Sequence, residues 1–348
     1  MPANMPHLEL TARQQEILRR VVEEYVASGQ PVGSKSLVQR TTLMVSPSTV
    51  RSELAELEVQ GLLTHPHTSA GRVPTDRGYR FYADVLLESP DQHPPEVALD
   101  LTEARSEVEA ALEATTEMLS QVTRLLALVS APPLETTTVR HVEVLALQPR
   151  VVMVVVITST GAVTKRVIAV DQPVDPGIAS WAREYLNEQV AGLTLGASLL
   201  RHRFEDPSLS VREREFLSLL RPAFTELLGV GQRLYVGGAA GLLDDVRVEE
   251  LGAYRRLLEV LEQRAELLQI LGGALDPRRP FVRLGAEIDH PDLHDVALVG
   301  AAYGVASRTL GAVSLLGPLR MDYEKALHSV RSAAHELSRF VEEVYAEE

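Results

Sequence analysis

The stretch SPSTVRSELAELEVQGLLTHPHTSAGRVPTDRGYRFY, residues 46–82, decides the fold of the N-terminal part of the chain. Ser46 is a favourable N-cap, and Pro47 takes the first helical position, where its missing N–H costs nothing. Apolar residues then recur on one helical face, at Val50, Leu54 and Leu57. Gly61 ends the pattern, so the stretch begins with a helix whose first turns carry exposed small polar residues and one arginine.

A basic, turn-rich ribbon follows this predicted helix. Residues 62–64 are typical of a short strand, and HPHTSAG at 65–71 is typical of a turn. Arg72 and Val73 can begin the returning strand. A hairpin placed directly after a DNA-reading helix is the wing of a winged helix, where arginines and backbone N–H groups meet phosphate.

Two further helices are predicted upstream. Thr11 and Gln14 form a capping box at the start of an apolar helical repeat that Ser28 and Gly29 end. A short segment, residues 34–39, can add one or two helical turns. Three helices and a hairpin predict a winged helix-turn-helix, whose second helix enters the major groove. A small helical bundle with a polar capping turn is the alternative for the helices alone.

Charge is unevenly distributed along the chain. The 348 residues carry a formal net charge of −14, yet residues 30–52 contain no acid, and only Asp76 is acidic in residues 60–82. Affinity for phosphate depends on local charge, so an acidic total does not exclude nucleic acid. Ordinary solvated charges are the alternative interpretation. The candidate DNA-binding residues are Lys35, Ser46, Ser48, Thr49, Arg51, Ser52, His67, Arg72, Arg77 and Arg80.

The composition excludes several classes of site. The chain has no cysteine, which rules out disulfides, thiolate metal sites and cysteine nucleophiles. Its longest apolar run, residues 151–157, is too short to span a bilayer, and no signal peptide is recognised. We therefore expect a soluble cytoplasmic protein without a membrane partner.

No catalytic, cofactor or metal site is predicted. YVGGAAG, residues 235–241, lacks the lysine of a P-loop and the spacing of a dinucleotide fingerprint, so a tight turn is favoured. A metal at His65 and His67 lacks a nearby carboxylate, and HPDLHD, residues 290–295, is interpreted as a solvated turn.

The rest of the chain predicts strands, then helices, then strands again. A helix from about residue 108 to Pro132 precedes a three-stranded meander over residues 139–170. Residues 176–271 are mainly helical, and strands resume before a final helix after Asp322. The pattern predicts an α+β multidomain protein with a mixed sheet interrupted by a helical insertion.

The runs LTARQQEILRRVVEEYVASGQPVGSKSL, SPSTVRSELAELEVQGLL and above all AGRVPTDRGYRFY resemble the HrcA-type heat-inducible transcription repressors. GAVSLLGPLRMDYEKALHSV, and more loosely LYVGGAAGLL, extend the resemblance along the chain. It implies a winged helix-turn-helix at 1–88, a GAF-like domain at 89–175 and 272–348, and an inserted dimerisation domain at 176–271. It also implies a homodimer on double-stranded DNA at an inverted-repeat operator of chaperonin and DnaK-type chaperone operons, with activity dependent on a GroEL-type chaperonin.

Two other function classes remain open from the residues. A regulator that senses a small molecule in the GAF-like pocket is the first, and a bound metabolite in the purified protein would favour it. An enzyme with an appended winged helix is the second, and it requires clustered catalytic residues, which the sequence does not present.

Overall fold

The computed structural model describes most of the chain in separate ranges. These are residues 10–40, 45–66, 71–89, 108–132, 137–159, 161, 163–224, 233–238, 252, 255–257, 259, 279–288, 290–305 and 308–346. No helix within these ranges combines the length and the apolar character needed to cross a membrane. The helical repeat predicted over residues 251–268 lies almost entirely outside them.

The N-terminal unit contains four helices and a hairpin. Its elements are α1 (Ala12–Ser28), α2 (Ser34–Arg40), α3 (Pro47–Val59), β1 (Leu63–Thr64), β2 (Val73–Pro74) and α4 (Asp76–Glu88). The predicted caps are confirmed, because the Thr11 side chain accepts from the Gln14 N–H and the Ser46 side chain accepts from the Thr49 N–H. Strands β1 and β2 pair antiparallel, with Thr64 opposite Val73.

A five-stranded antiparallel sheet forms the second unit. Its strands are β3 (Leu126–Ser130), β7 (Leu234–Gly237), β8 (Phe281–Leu284), β9 (Val296–Val305) and β10 (Arg308–Pro318), in the order β7-β3-β10-β9-β8. Two helices, α5 (Val108–Thr123) and α9 (Tyr323–Ala346), share an apolar core with one face of this sheet. A smaller apolar cluster covers the other face.

The first helix of this unit is shorter than predicted. Helix α5 ends at Thr123, Arg124 has a positive φ of 57°, and residues 126–130 form strand β3. The prediction that the helix continues to Pro132 is therefore wrong. A short continuous apolar run does not distinguish a buried helix from a buried strand, and here the run is a fully buried strand.

A third unit is built on its own sheet. Strands β4 (Val139–Gln148), β5 (Val151–Thr158) and β6 (Val163–Ala169) form a three-stranded meander in the order β4-β5-β6. Its core is completed by three helices: α6 (Pro176–Gln189), α7 (Ser198–Phe204) and α8 (Val211–Leu220).

This unit corrects the predicted grouping of strands. The sequence prediction placed residues 139–169 in the interrupted sheet and residues 233–238 in the helical insertion. In the structure the meander packs with α6 to α8, and β7 is an edge strand of the five-stranded sheet. Apolar alternation shows that a strand has one buried face, but it does not show which helices cover that face.

The N-terminal unit and the five-stranded unit share one apolar core. Tyr323, fully buried at the start of α9, lies 5.8 Å from the Tyr79 ring and 6.3 Å from the Tyr82 ring, both on α4. Arg320 donates to the carbonyls of Tyr25 and Val26 at the end of α1, each at 3.4 Å.

A second arginine repeats this contact at the end of α4. Arg331 donates to the carbonyls of Leu86 and Leu87, at 3.5 and 3.4 Å. Cations are favourable at the C-terminal ends of helices, so both arginines complement the helices they touch. The N-terminal unit is therefore held against the five-stranded unit.

Candidate nucleic-acid interface

Helix α3 presents a polar surface because its apolar face is turned inward. Val50, Leu54 and Leu57 are buried in the core of the N-terminal unit. Ser48, Arg51 and Ser52 consequently face outward and are exposed, while Thr49 is half-buried. Exposed hydroxyls and one arginine on the first turns are the groups that a major-groove helix uses to read base edges.

The Ser46 hydroxyl organises the start of this helix. It accepts from the Thr49 N–H at 3.2 Å and lies 2.7 Å from the Ser48 hydroxyl and 2.9 Å from the Thr49 hydroxyl. Ser46 thus caps the helix and links two other predicted site residues.

Two cations remain available on this surface. Lys35 on α2 and Arg51 on α3 are exposed. Neither side chain forms a hydrogen bond or an ion pair with the described part of the chain. They can therefore turn toward an anionic ligand without breaking an internal contact. The predicted residue His67 lies outside the described residues.

The outward face of α3 continues beyond the predicted residues. Ala55 and Val59 are exposed, and 81% of the Val59 surface is accessible. Small apolar side chains in a major groove contact the methyl group of thymine. Neither residue is among the DNA-binding candidates predicted from the sequence, although Val59 falls outside the apolar face of the helix.

Two arginines of the ribbon are turned toward the protein. Arg72 forms an ion pair with Glu58 of α3 at 2.8 Å, and its backbone pairs with Val32 in both directions at 2.8 Å. Arg77 donates to the carbonyl of Gln60 at 3.1 Å. These side chains fasten the hairpin and α4 to the end of α3.

Arg80 joins the N-terminal unit to the five-stranded unit. Its guanidinium donates to the Val282 carbonyl at 2.6 Å and pairs with Glu287 at 3.0 Å and with Asp84 at 2.7 Å. Only 14% of the side chain is exposed. The phosphate contact predicted for Arg80 stays a prediction, and in this arrangement its guanidinium is occupied by partners within the chain.

Close backbone approach explains two glycines of the ribbon. A Cβ at Gly71 would lie 2.5 Å from the Val32 carbonyl oxygen, and a Cβ at Gly78 would lie 2.2 Å from the Leu62 carbonyl oxygen. Both distances are sterically forbidden, so a side chain at either position would force the hairpin away from its neighbours.

The histidines considered as metal ligands have other contacts. His65 Nδ1 contacts the Glu58 carboxylate, and His290 Nδ1 accepts from the Asp292 N–H at 3.2 Å in a local turn. Within the described ranges, no three acidic or histidine side chains converge as metal ligands.

Comparisons with known proteins cover nearly the whole chain. A family model described as HrcA protein C terminal domain matches residues 109–327. The heat-inducible transcription repressor HrcA of Nocardia farcinica is 36% identical over 340 residues, covering 96% of this chain and 97% of its own. That of Streptomyces albus G is 36% identical over 351 residues, covering 97% and 99%.

A solved structure has the same fold. It is described as "Crystal structure of a hypothetical protein at 2.2 A resolution", and it aligns with 97% of this chain and 100% of its own at a TM-score of 0.65. Its sequence identity is 23%, so this likeness concerns the fold alone.

Proposed function

Because the chain belongs to the HrcA family of heat-inducible transcription repressors, we propose that it represses heat-shock operons by binding an inverted-repeat operator as a homodimer. The target operons in this proposal encode the chaperonin and the DnaK-type chaperones, and a GroEL-type chaperonin keeps the repressor active. The observation that carries DNA binding is the exposed start of α3, where Ser48, Arg51 and Ser52 face solvent beside a hairpin.

The proposed reading mechanism follows from the side chains on this surface. The Arg51 guanidinium has the planar fork that matches the O6 and N7 acceptors of guanine. Ser48 and Ser52 are short enough for the helix backbone to approach the groove closely. Lys35 on α2 supplies a charge to the phosphates, which fixes the position of the unit on the duplex without reading sequence.

The proposed dimer uses the face of the three-stranded sheet that points away from α6 to α8. Leu145, Met153 and Val167 are directly opposite one another across the three strands on this face. Its accessible apolar side chains include Leu145, Leu147, Val163 and Val167, of which 38%, 50%, 63% and 57% is exposed. The same face also carries Glu143 and Lys165, which lie on either side of Val155. A face with apolar side chains and one charge of each sign fits the same face of a second copy around a two-fold axis.

Footprinting of the full-length protein on the chaperonin promoter of its source organism tests the proposed function. We expect protection of two half-sites related by a dyad, because a symmetric dimer presents two α3 helices to the duplex. Binding with equal affinity to the promoter and to random duplex would contradict it.

Arg51→Ala is expected to weaken operator binding and to relax specificity. The loss is about 1–3 kcal/mol per half-site if the guanidinium forms both bonds to one guanine. The measurement is the ratio of operator to random-DNA affinity in gel shifts. Arg201→Ala, which removes an exposed arginine of α7, is the matched control. An unchanged ratio for Arg51→Ala would mean that α3 is not the reading helix.

Chaperonin is expected to raise the yield of active repressor after heating or dilution from denaturant. Strand β5 is VVMVVVIT, which is prone to aggregate when transiently exposed. The five-stranded sheet also pairs β3 with β10 across more than 180 residues, and such non-local pairing forms slowly. Operator gel shifts after refolding, with and without GroEL-type chaperonin and ATP, measure the active fraction. Equal recovery in both arms would contradict the prediction, and full recovery with a small metabolite alone would favour the ligand-sensing alternative.

A further inference from the structure

One carboxylate closes the base of the hairpin loop. Glu58, on the last turn of α3, pairs with Arg72 at 2.8 Å through one oxygen and contacts His65 Nδ1 through the other. His65 immediately follows β1, and Arg72 immediately precedes β2. The two ends of the loop are therefore held to α3 by the single side chain of Glu58.

These contacts are partly shielded from solvent. The exposed fractions of the side chains are 29% for Glu58, 18% for Arg72 and 31% for His65. Screening by salt is weaker for such pairs than for fully exposed ones. The Arg72 Nε is also buried, and it has no hydrogen-bond partner within the described part of the chain. The guanidinium thus points into the protein.

We propose that Glu58 is a positioning residue for operator recognition, which fixes the hairpin to α3 and keeps the Arg72 guanidinium away from DNA phosphate. This inference rests on the proposed DNA-binding function. It replaces the expectation that Arg72 grips the DNA backbone, because the same guanidinium is paired within the protein.

The arrangement has a consequence for specificity. A carboxylate near a nucleic-acid interface repels DNA phosphate. Here the charge of Glu58 is offset by Arg72, so the pair has little net electrostatic effect on the DNA. Because the hairpin is held in place before DNA binds, little conformational entropy of the hairpin is lost on binding. Only a duplex whose shape fits both α3 and the hairpin gains affinity from this preorganisation. Loss of the carboxylate should therefore weaken operator binding more than random binding.

The test compares Glu58→Gln with Glu56→Gln in the full-length protein. Glu56 is on the same helix and is exposed, and within the described part of the chain its carboxylate accepts a hydrogen bond only from the Gln60 side chain, at 3.4 Å. The control therefore removes an equal charge without touching the hairpin. Operator and random-duplex affinities are measured at several salt concentrations. We expect Glu58→Gln to lower the operator-to-random ratio about tenfold, as for one charge-assisted contact, and Glu56→Gln to leave it unchanged.

Arg72 variants separate positioning from phosphate contact. We expect Arg72→Ala to lower the ratio as much as Glu58→Gln, the double variant to be no worse than either, and the salt slope to stay unchanged. Arg72→Lys keeps the positive charge but loses the planar guanidinium, and it should also lower the operator-to-random ratio. Circular dichroism and thermal unfolding confirm that each variant is folded, and the lysine variant keeps the test valid if the alanine variant does not fold.

Three results would overturn the inference. A salt slope reduced by about 0.9 per half-site in Arg72→Ala would make Arg72 a phosphate contact. If the wild-type protein discriminates operator from random duplex, but Glu58→Gln and Glu56→Gln have the same operator-to-random ratio, the positioning role alone is contradicted. A wild-type protein that does not discriminate at all would overturn the proposed function, and this inference with it.

Discussion

Tyr323→Ala is expected to destabilise the protein by about 3–5 kcal/mol, the range for truncating a large buried aromatic side chain. Tyr323 is fully buried between the N-terminal unit and the five-stranded sheet, against Tyr79 and Tyr82. The cavity would open at the contact between the two units, so we also expect the unfolding of the N-terminal unit to separate from that of the five-stranded unit. Denaturant unfolding followed by circular dichroism measures both effects.

Tyr323→Phe is the matched control. It keeps the ring and removes only the hydrogen bond from the hydroxyl to the Leu319 carbonyl, at 2.5 Å, so the expected cost is about 1 kcal/mol. If the alanine variant lost no more stability than the phenylalanine variant, the aromatic contact between the units would not stabilise the fold.

The same control variant has a pH signature. Burial raises the pKa of Tyr323 well above its ordinary value near 10, and burial also raises the pKa of Tyr82. A group whose pKa is higher in the folded state contributes its full stabilisation at pH values below its unfolded-state pKa. This contribution is lost as the pH rises through the folded-state pKa. Wild-type stability should therefore fall above about pH 10, and Tyr323→Phe should reduce that dependence.

Val167→Asp is expected to convert the proposed dimer into a monomer and to weaken operator binding about a hundredfold or more. Val167 lies on the edge strand β6, opposite Met153 of the central strand, and a carboxylate there would be buried without a partner in the proposed dimer. A monomer engages one half-site at a time and loses the gain from linked binding. Sedimentation and operator gel shifts measure the two effects.

Leu219→Asp is the control for this substitution. Leu219 is on α8, and 45% of its surface is exposed, so the change introduces the same charge at an accessible apolar position away from the sheet face. We expect this variant to stay dimeric and to bind the operator normally. A Val167→Asp protein that sediments as a dimer would show that the copies meet elsewhere.

Local sequence signals predicted helix α3 correctly. Ser46, Pro47 and the repeat of Val50, Leu54 and Leu57 lie within twelve residues, and caps and periodicity act over that distance. The buried face and the exposed Arg51 follow from those residues alone, and the hairpin follows from the turn-rich residues 65–71 next to them. The meander of β4 to β6 was also recognised as three strands, because alternation and turns are local.

The roles of the ribbon arginines were not predictable in the same way. A run of positive charge shows where cations are, but their partners are set by tertiary structure. Arg80 pairs with Glu287, which is 207 residues away, and Arg72 pairs with an acid on the preceding helix. Long-range partners also explain why the sheet of β4 to β6 was assigned to the wrong unit.

The shared core around Tyr79 and Tyr82 bears on the engineering of hybrid regulators. A designer who grafts the first 89 residues onto a foreign sensor body would leave both rings, which are 4% and 5% exposed in the intact chain, facing water. The last turns of two helices would also lose the guanidinium groups that cap them. A transplantable cassette from this protein therefore has to include Arg320 and α9, or a replacement surface with equivalent aromatic and basic groups.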